Sequence, residues 1–229
     1  MYNKLILLEK KNIIDNVWEF KFQAVPLISW IAGQYIKVKL SHNNTDEEGD
    51  ERYFTISSAP FEDIIQITTR ITGSSFKKAL ASLGIGDTLV ITKTPSGSFV
   101  WQESEYPLVF IIGGIGITPF ISIIRQMIHD GKKINTILVY NNRTDAIAYK
   151  DEIDSWAVSD PTLIVNYEIG NQLTIDRLKQ LIPELNKSIV YISGPELMVD
   201  SIADQLGSYG LPDIQIKKDH FINYTENNY

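Results

Sequence analysis

Hydrophobic and polar residues alternate with a period of two in parts of the first hundred residues. Residues 36–40 alternate Ile, Val and Leu with lysine, a pattern typical of a strand with one buried face. Residues 64–71 and 88–93 have strand-forming compositions, and turn-forming residues separate these segments. Many short strands at such spacing predict an antiparallel β-barrel. Residues 75–83 have apolar side chains at helical spacing instead and predict one short helix.

The second half of the chain alternates between strand and helix patterns. An apolar strand candidate at 108–112 leads into a glycine-rich turn and a helix that ends near residue 129. Further strands are predicted at 134–140, 163–167, 189–192 and 214–217, with helices at 148–156, 174–181 and 196–206. This order predicts βαβ units around a parallel sheet. We therefore expect two domains, a β-barrel at residues 1–103 and an α/β domain at residues 104–229.

Composition narrows the possible functions. The 229 residues carry 21 Lys and Arg against 28 Asp and Glu, a net charge of −7 that disfavours nucleic-acid binding. No cysteine is present, which removes disulfides and cysteine-ligated clusters, and we expect no metal site. The uncharged segment 107–124 approaches membrane-spanning length, but its glycines and proline favour a strand, a turn and a helix. The N-terminus lacks a signal-peptide pattern, so we expect a cytoplasmic protein.

The glycine turn, residues 113–119 (GGIGITP), carries the clearest chemical signal. Gly113, Gly114 and Gly116 would let the backbone turn sharply and approach a ligand. The helix that follows would offer free amides and a positive dipole end to a diphosphate. Thr118 could cap that helix or donate to a phosphate, and Pro119 suits its first turn. The spacing is not G-x-G-x-x-G, and a turn that only packs strand against helix is the alternative.

Two shorter signals accompany the glycine turn. Residues 52–55 (RYFT) lie in the strand-rich half, where an arginine could pair with a phosphate and a tyrosine could stack on a planar ring. An ordinary barrel strand is the alternative. Residues 191–195 (YISGP) end a strand of the second half, and open α/β sheets bind ligands at the carboxyl ends of strands. An ordinary strand-to-helix connection would look the same.

The order of these three signals resembles the ferredoxin–NADP reductase family, in which an FAD-binding barrel precedes a nucleotide-binding α/β domain. The resemblance runs from Gly33 to the C-terminus, and residues 52–55 are similar to the family's Arg-x-Tyr-Ser/Thr motif. It implies that Arg52 holds the FAD diphosphate, that Tyr53 stacks on the isoalloxazine and that Thr55 hydrogen-bonds near the flavin N5. It implies further FAD contacts from Phe54, Thr69, Gly73, Ser74 and Ser75.

In the second half, the resemblance implies contacts to a nicotinamide nucleotide. These contacts would come from Gly113, Gly114, Gly116, Thr118, Pro119, Arg143, Gly194 and Pro195. Ser193 stands where the family has a cysteine against the nicotinamide, and with Tyr53 and Thr55 it forms the predicted catalytic set. Arg143 would suit the 2′-phosphate of NADPH, but residues 170–171 lack the family's Ser-Arg pair, so NADPH and NADH both remain open. A proton-relay role for Asp219 or His220 is also left open.

The resemblance implies an NAD(P)H-dependent oxidoreductase that passes electrons to a separate partner such as ferredoxin or flavodoxin, or to a small acceptor. The barrel starts near the first residue with no haem domain before it, so we expect a separate acceptor. We also expect a monomeric enzyme. A basic patch for docking would use Lys37, Lys39, Lys77 and Lys78, with scattered solvated lysines as the alternative. Two other functions remain possible. One is a flavin-binding electron-transfer or regulatory subunit of a larger complex, without independent reductase turnover. The other is a nucleotide-binding module without flavin.

Overall fold

The computed structural model describes residues 3–221 of the chain. These residues divide into two compact units. The first unit holds residues 3–101 together with the helix at 118–129, and the second holds residues 102–117 and 130–221. Because the helix that follows the glycine turn is counted with the first unit, the predicted boundary after residue 103 stays a prediction.

The first unit is built on six antiparallel strands and a short helix. The strands are β1 (Lys4–Ile14), β2 (Val17–Val25), β3 (Tyr35–Lys39), β4 (Glu51–Thr55), β5 (Ile65–Arg70) and β6 (Thr88–Ser96), and helix α1 (Ser75–Ser82) precedes β6. Their order in the sheet is β4-β3-β6-β1-β2-β5. Ile56, just beyond β4, forms a bridge with Ile67 of β5, so the two edges of the curled sheet meet there. This confirms the predicted antiparallel fold with one helix, and Phe76 and Leu80 of α1 lie in its core.

The hairpin of β1 and β2 was not singled out from the sequence. Leu5 and Leu7 of β1 are fully buried, as are Phe20 and Phe22 of β2. However, the register of the two strands shifts between Leu7 and Glu9, so the alternation of buried and exposed positions breaks in the middle of β1. A β-bulge of this kind hides the period of two on which strand prediction depends.

The second unit is a five-stranded parallel sheet with helices in the connections. Its strands are β7 (Leu108–Gly113), β8 (Thr136–Asn142), β9 (Leu163–Ile169), β10 (Ile189–Pro195) and β11 (Ile216–Phe221). Its helices are α3 (Lys150–Ser159), α4 (Ile175–Leu181) and α5 (Glu196–Tyr209), while α2 (Thr118–His129) is the helix counted with the first unit. The predicted βαβ alternation is confirmed. The last strand begins two residues later than predicted because Asp213–Gln215 form a 3₁₀ turn.

The strand order of the parallel sheet is β11-β10-β7-β8-β9. The chain therefore moves from β7 to one side through β8 and β9, and then returns to place β10 on the other side of β7. This reversal makes the carboxyl ends of β7 and β10 a topological switch point, which is where open α/β sheets bind ligands. Within residues 3–221, no helix combines the length and the hydrophobicity that crossing a bilayer requires.

Candidate functional site

The glycine turn packs directly against the end of β10. A Cβ atom on Gly116 would lie 2.5 Å from the carbonyl oxygen of Ser193 and 2.8 Å from the Cα of Gly194. A Cβ on Gly194 would lie 3.2 Å from the Cα of Gly113. Such an approach leaves no space for a side chain, so these positions require glycine. Two of the three signals that the sequence offered therefore lie together at the switch point.

The glycine turn runs from the last residue of β7 into α2. Gly114–Ile117 form a 3₁₀ turn, and α2 begins at Thr118 with Pro119 as its second residue, as predicted. Gly114 has a φ of 44°, in the left-handed region that favours glycine. The hydroxyl of Tyr140 on β8 donates a hydrogen bond of 2.9 Å to the Gly114 carbonyl and so supports the turn. Sequence reasoning missed Tyr140, whose only signal was a hydroxyl near the end of an apolar strand.

Ser193 lies beside an acidic group on the neighbouring strand. Its hydroxyl donates to Asp219 Oδ2 at 3.3 Å, across the pairing of β10 with β11. Burial raises the pKa of Asp219 to about 6, against the opposing effects of the Ser193 hydroxyl and of His220. His220 itself lies 3.0 Å from Asp200 on α5. Asp219 can therefore hold a proton in mildly acidic solution, and the predicted role of Ser193 against the nicotinamide stays a prediction. Residues 222–224, which the resemblance included, lie outside the described residues.

The loops after β8 and β9 are held together by hydrogen bonds. The Asn141 amide donates to the Asn171 carbonyl at 2.8 Å, and the Gly170 N–H donates to the Asn142 carbonyl at 2.8 Å. Arg143 is exposed in the first of these loops. The loops therefore form one rim at the carboxyl edge of the sheet. The choice between NADPH and NADH stays open.

In the first unit, Tyr53 presents its ring to solvent from β4. The residue is 54% exposed, and its ring meets Tyr35 edge to face with 5.5 Å between the ring centres. The ammonium groups of Lys37 and Lys93 lie 5.3 Å and 5.6 Å from the centre of the Tyr53 ring. The ring is thus accessible to a planar ligand, as stacking on a flavin would require.

Phe54, the next residue on β4, faces the opposite way. It is 7% exposed and packs against Phe76 of α1, with 5.9 Å between the ring centres. In the Arg-x-Tyr-Ser/Thr motif the aromatic residue follows the arginine by two positions, and that position after Arg52 is Phe54. Exposure therefore favours Tyr53 as the stacking residue, and motif spacing favours Phe54. Thr55 and Thr69 are also buried, at 6% and 2% exposed.

Arg52 and the start of α1 converge on one carboxylate, that of Asp46. Arg52 Nη2 lies 3.0 Å from Asp46 Oδ1, and the Ser75 N–H donates to Asp46 Oδ2 at 2.8 Å. Ser74 caps α1 by accepting a hydrogen bond from the Lys77 N–H. The Ser75 amide, helped by the Ser75 hydroxyl and by Arg52, lowers the pKa of Asp46 below its ordinary value. A guanidinium and a helix-terminal amide that share an anion are a donor set that fits a diphosphate, so these residues fit FAD.

The four lysines of the predicted docking patch do not form a free basic surface. Lys37 pairs with Glu51 at 2.5 Å, and Lys39 pairs with Asp50 at 3.2 Å. Lys77 is buried, which leaves Lys78 beside the cleft at α1. Strand pairing caused this outcome, because β3 places Lys37 and Lys39 close to the acidic residues at and before the start of β4.

Comparison with known proteins matches residues 110–204 to the family of oxidoreductase NAD-binding domains. Flavohemoprotein A of Dictyostelium discoideum is 25% identical over 228 residues, which cover 90% of this chain and 57% of that protein. NADH-cytochrome b5 reductase 1 of Neosartorya fischeri is 26% identical, with 91% of this chain and 75% of that protein covered. The chain spans 52% to 58% of the length of the flavohemoproteins that it matches.

Similarity to solved structures extends over nearly the whole chain. Ferredoxin-NADP+ reductase from Plasmodium falciparum superposes with a TM-score of 0.80 at 17% identity, and 95% of each chain is covered. At this identity the superposition shows the fold alone. The curled antiparallel sheet, the parallel α/β unit, the match at residues 110–204 and these relatives support the resemblance to ferredoxin–NADP reductase-like flavin oxidoreductases.

Proposed function

We propose that the chain is an FAD-dependent reductase that accepts a hydride from NAD(P)H and passes electrons to a separate redox partner. The observation that carries this proposal is the convergence of the Arg52 guanidinium and the Ser75 amide on one anion. Tyr53, exposed on the same strand as Arg52, adds a surface for a planar ring. The match of residues 110–204 to oxidoreductase NAD-binding domains supports the nucleotide half of the proposal.

The candidate FAD-binding residues of the first unit would each have a distinct role. Arg52 and the Ser75 amide would hold the diphosphate of FAD, and Gly73 would keep the turn before α1 free of side chains. Tyr53, or Phe54 by the spacing of the motif, would lie against the isoalloxazine. FAD, when bound, supplies the exchange between two-electron and one-electron chemistry, while the protein supplies position and electrostatics.

The residues of the second unit would orient the nucleotide. Gly114 and Gly116 would let a diphosphate approach the backbone at the switch point. Ser193, held by Asp219, would place a small polar group against the nicotinamide. Arg143 would contact the 2′-phosphate if NADPH is the donor.

The electron acceptor that we propose is ferredoxin or flavodoxin. The names of the relatives favour a haem protein as the second candidate, since they are flavohemoproteins and cytochrome b5 reductases. Ferredoxins and flavodoxins are usually acidic. With Lys37 and Lys39 paired to acidic residues and a net charge of −7, this chain would give such a partner little electrostatic steering.

The purified protein tests the proposal through its visible spectrum. We expect a yellow protein, or one that FAD makes yellow, whose absorption is bleached under anaerobic conditions by NADPH or NADH. Adding ferredoxin, flavodoxin or cytochrome b5 in turn to the reduced protein then identifies the acceptor that restores the absorption. A colourless protein that FAD cannot reconstitute would refute the proposal. Bleaching without reoxidation by any added protein would favour the subunit alternative.

The stacking residue is tested by two single substitutions. Tyr53→Ala removes an exposed ring, while Phe54→Leu keeps a buried apolar side chain without the aromatic face. The variant that loses FAD affinity, measured by quenching of flavin fluorescence, identifies the residue that contacts the flavin. If both variants bind FAD as tightly as the wild type, ring stacking on β4 is removed from the proposal.

A further inference from the structure

The acidic loop, residues 41–50 between β3 and β4, encloses the guanidinium of Arg52. Nη2 contacts Asp46 Oδ1 at 3.0 Å and Glu48 Oε2 at 2.9 Å. Nη1 donates to the carbonyls of Glu48, Gly49 and Glu51 at 2.8, 2.9 and 2.8 Å. Both terminal nitrogens of Arg52 are thus bonded to this loop and to the first residue of β4. The arginine that would bind the cofactor therefore already makes ion pairs and hydrogen bonds within the protein.

The same loop also bonds to the start of α1. Asp46 Oδ2 accepts from the Ser75 N–H at 2.8 Å, and the Asp46 N–H donates to Ser75 Oγ at 3.0 Å. His42 Nε2 lies 2.9 Å from that hydroxyl, and His42 Nδ1 lies 2.7 Å from the Leu40 carbonyl. One carboxylate therefore bridges Arg52 and the helix N-terminus, which are the two groups that would otherwise share a phosphate.

The acidic loop has the composition of a segment that can move away. Residues 41–50 (SHNNTDEEGD) contain no hydrophobic side chain, so releasing the loop would withdraw none from the core. The loop does contact the core through the ring of His42, which lies edge to face on Phe76 with 6.0 Å between the ring centres. Its base is closed by a hydrogen bond from the Leu40 N–H to the Asp50 carbonyl at 2.9 Å and by the ion pair of Lys39 with Asp50. The contacts of His42 and Asp46 with Ser75 join the loop to α1 across a cleft of about 660 Å³ that Gly73 also lines.

We propose that Asp46 competes with the cofactor for the diphosphate site, so that the acidic loop must release Arg52 and the Ser75 amide before FAD binds. This inference rests on the proposed function, because it takes Arg52 and Ser75 as the diphosphate donors. The Ser75 N–H is already used by Asp46, and Arg52 Nη2 is already used by Asp46 and Glu48, so a phosphate must displace Asp46 to reach both donors. The apparent dissociation constant for FAD is therefore the intrinsic one divided by the fraction of chains with the loop released.

The test compares FAD binding by the unsubstituted chain with binding by Asp46→Asn and by Asp50→Asn. Asp46→Asn removes the charge but keeps an oxygen that can accept from the Ser75 N–H, and it leaves the Ser74 cap of α1 in place. Asp50→Asn makes the same charge change in the same loop but affects Lys39 instead of Arg52. The Arg52–Asp46 ion pair is partly buried and only one of several contacts of Arg52, so we expect Asp46→Asn to lower the dissociation constant about five-fold. Asp50→Asn should stay within about two-fold of the wild type.

Hydrogen exchange of the loop provides the second measurement. We expect the amides of residues 42–50 to exchange faster when FAD is bound, since the Asp46 N–H then loses Ser75 Oγ as its partner. Inorganic pyrophosphate is a probe of the same donors without the flavin, and we expect it to increase exchange as well.

The outcomes separate this inference from the proposed function. If Asp46→Asn binds FAD no more tightly than the wild type, and loop exchange is unchanged or slower with FAD, competition by Asp46 is refuted while the FAD enzyme stands. If FAD binds to none of the three chains, the proposed function fails. In that case faster loop exchange with pyrophosphate would still support Asp46 as the competitor for an anion, and unchanged exchange would refute it.

Discussion

Replacing Gly116 with alanine tests whether the close approach of the glycine turn to β10 is required. The added Cβ would lie 2.5 Å from the Ser193 carbonyl oxygen and 2.6 Å from the Ser193 carbonyl carbon. Both atoms belong to the backbone of a strand that pairs with a neighbour on each side, so they cannot rotate away as a side chain can. The turn or the strand end must therefore shift. Overpacking of this kind typically costs about 1–3 kcal/mol.

The stability of Gly116→Ala is measured by urea unfolding followed by tryptophan fluorescence. We expect the free energy of unfolding to fall by about 1–3 kcal/mol. A displaced turn should also weaken the binding of NADPH or NADH, by about ten-fold if roughly 1.4 kcal/mol of the contact energy is lost. FAD binding should be unaffected, because Arg52, Tyr53 and Ser75 belong to the first unit.

Gly207→Ala is the matched control in the same unit. Gly207 lies within α5, and its added Cβ would meet no heavy atom within 4 Å. Alanine is favoured over glycine in a helix interior, so we expect this variant to be more stable by about 0.5–1 kcal/mol, with unchanged nucleotide affinity. If Gly116→Ala is as stable as the wild type and binds the nucleotide as tightly, the close approach is not required and the reasoning is wrong.

Three further predictions concern single side chains. Tyr140→Phe leaves the Gly114 carbonyl without its 2.9 Å hydrogen bond, and we expect a loss of about 1–3 kcal/mol in the free energy of unfolding, checked in urea against the wild type. Burial raises the pKa of Asp219 to about 6, so between pH 4 and pH 6 the folded chain holds a proton that the unfolded chain gives up. Stability should therefore decrease as pH rises through that window, by about 2–3 kcal/mol in all, and Asp219→Asn should abolish this contribution to the pH dependence. Phe54→Ala empties a site in the barrel core and should cost about 3–5 kcal/mol, whereas Tyr53→Ala, at a half-exposed position, should change stability by less than about 0.5 kcal/mol. Equal losses in the last pair would contradict the opposite orientations of the two rings.

Local patterns in the sequence predicted many of the helices and strands and singled out three candidate ligand-binding segments, residues 52–55, 113–119 and 191–195. The helix at α1 follows from the spacing of Phe76 and Leu80, and both residues are buried in the core as that spacing requires. The βαβ alternation follows from apolar strands separated by helical patterns, because each period reflects the local geometry of one element. By contrast, the bulge after Leu7 interrupts the alternation in β1, so that strand could not be identified from its period.

The chemistry of each site depends on residues that are distant in sequence. Tyr140 supports Gly114 across the pairing of β8 with β7, and no spacing along the chain indicates that contact. Asp46 reaches Ser75 across 29 residues, so the polar composition of the acidic loop gave no sign that one of its carboxylates bridges Arg52 and α1. Lys37 and Lys39 of the predicted patch are neutralised for a similar reason, since their acidic partners, Glu51 and Asp50, come from another part of the hairpin.

The sequence by itself determined the two kinds of unit and the glycine turn, because propensity and periodicity act within a few neighbouring residues, while the candidate flavin motif came from the family resemblance. Only the tertiary structure decided that β10 lies beside β7 and not beside β9, and this strand order places Ser193 and Gly194 against Gly116. The physical reason is that strand order is set by pairing and burial between distant segments, whose energies depend on the whole sheet. The same dependence decided that Tyr53 faces solvent while Phe54 faces the barrel core.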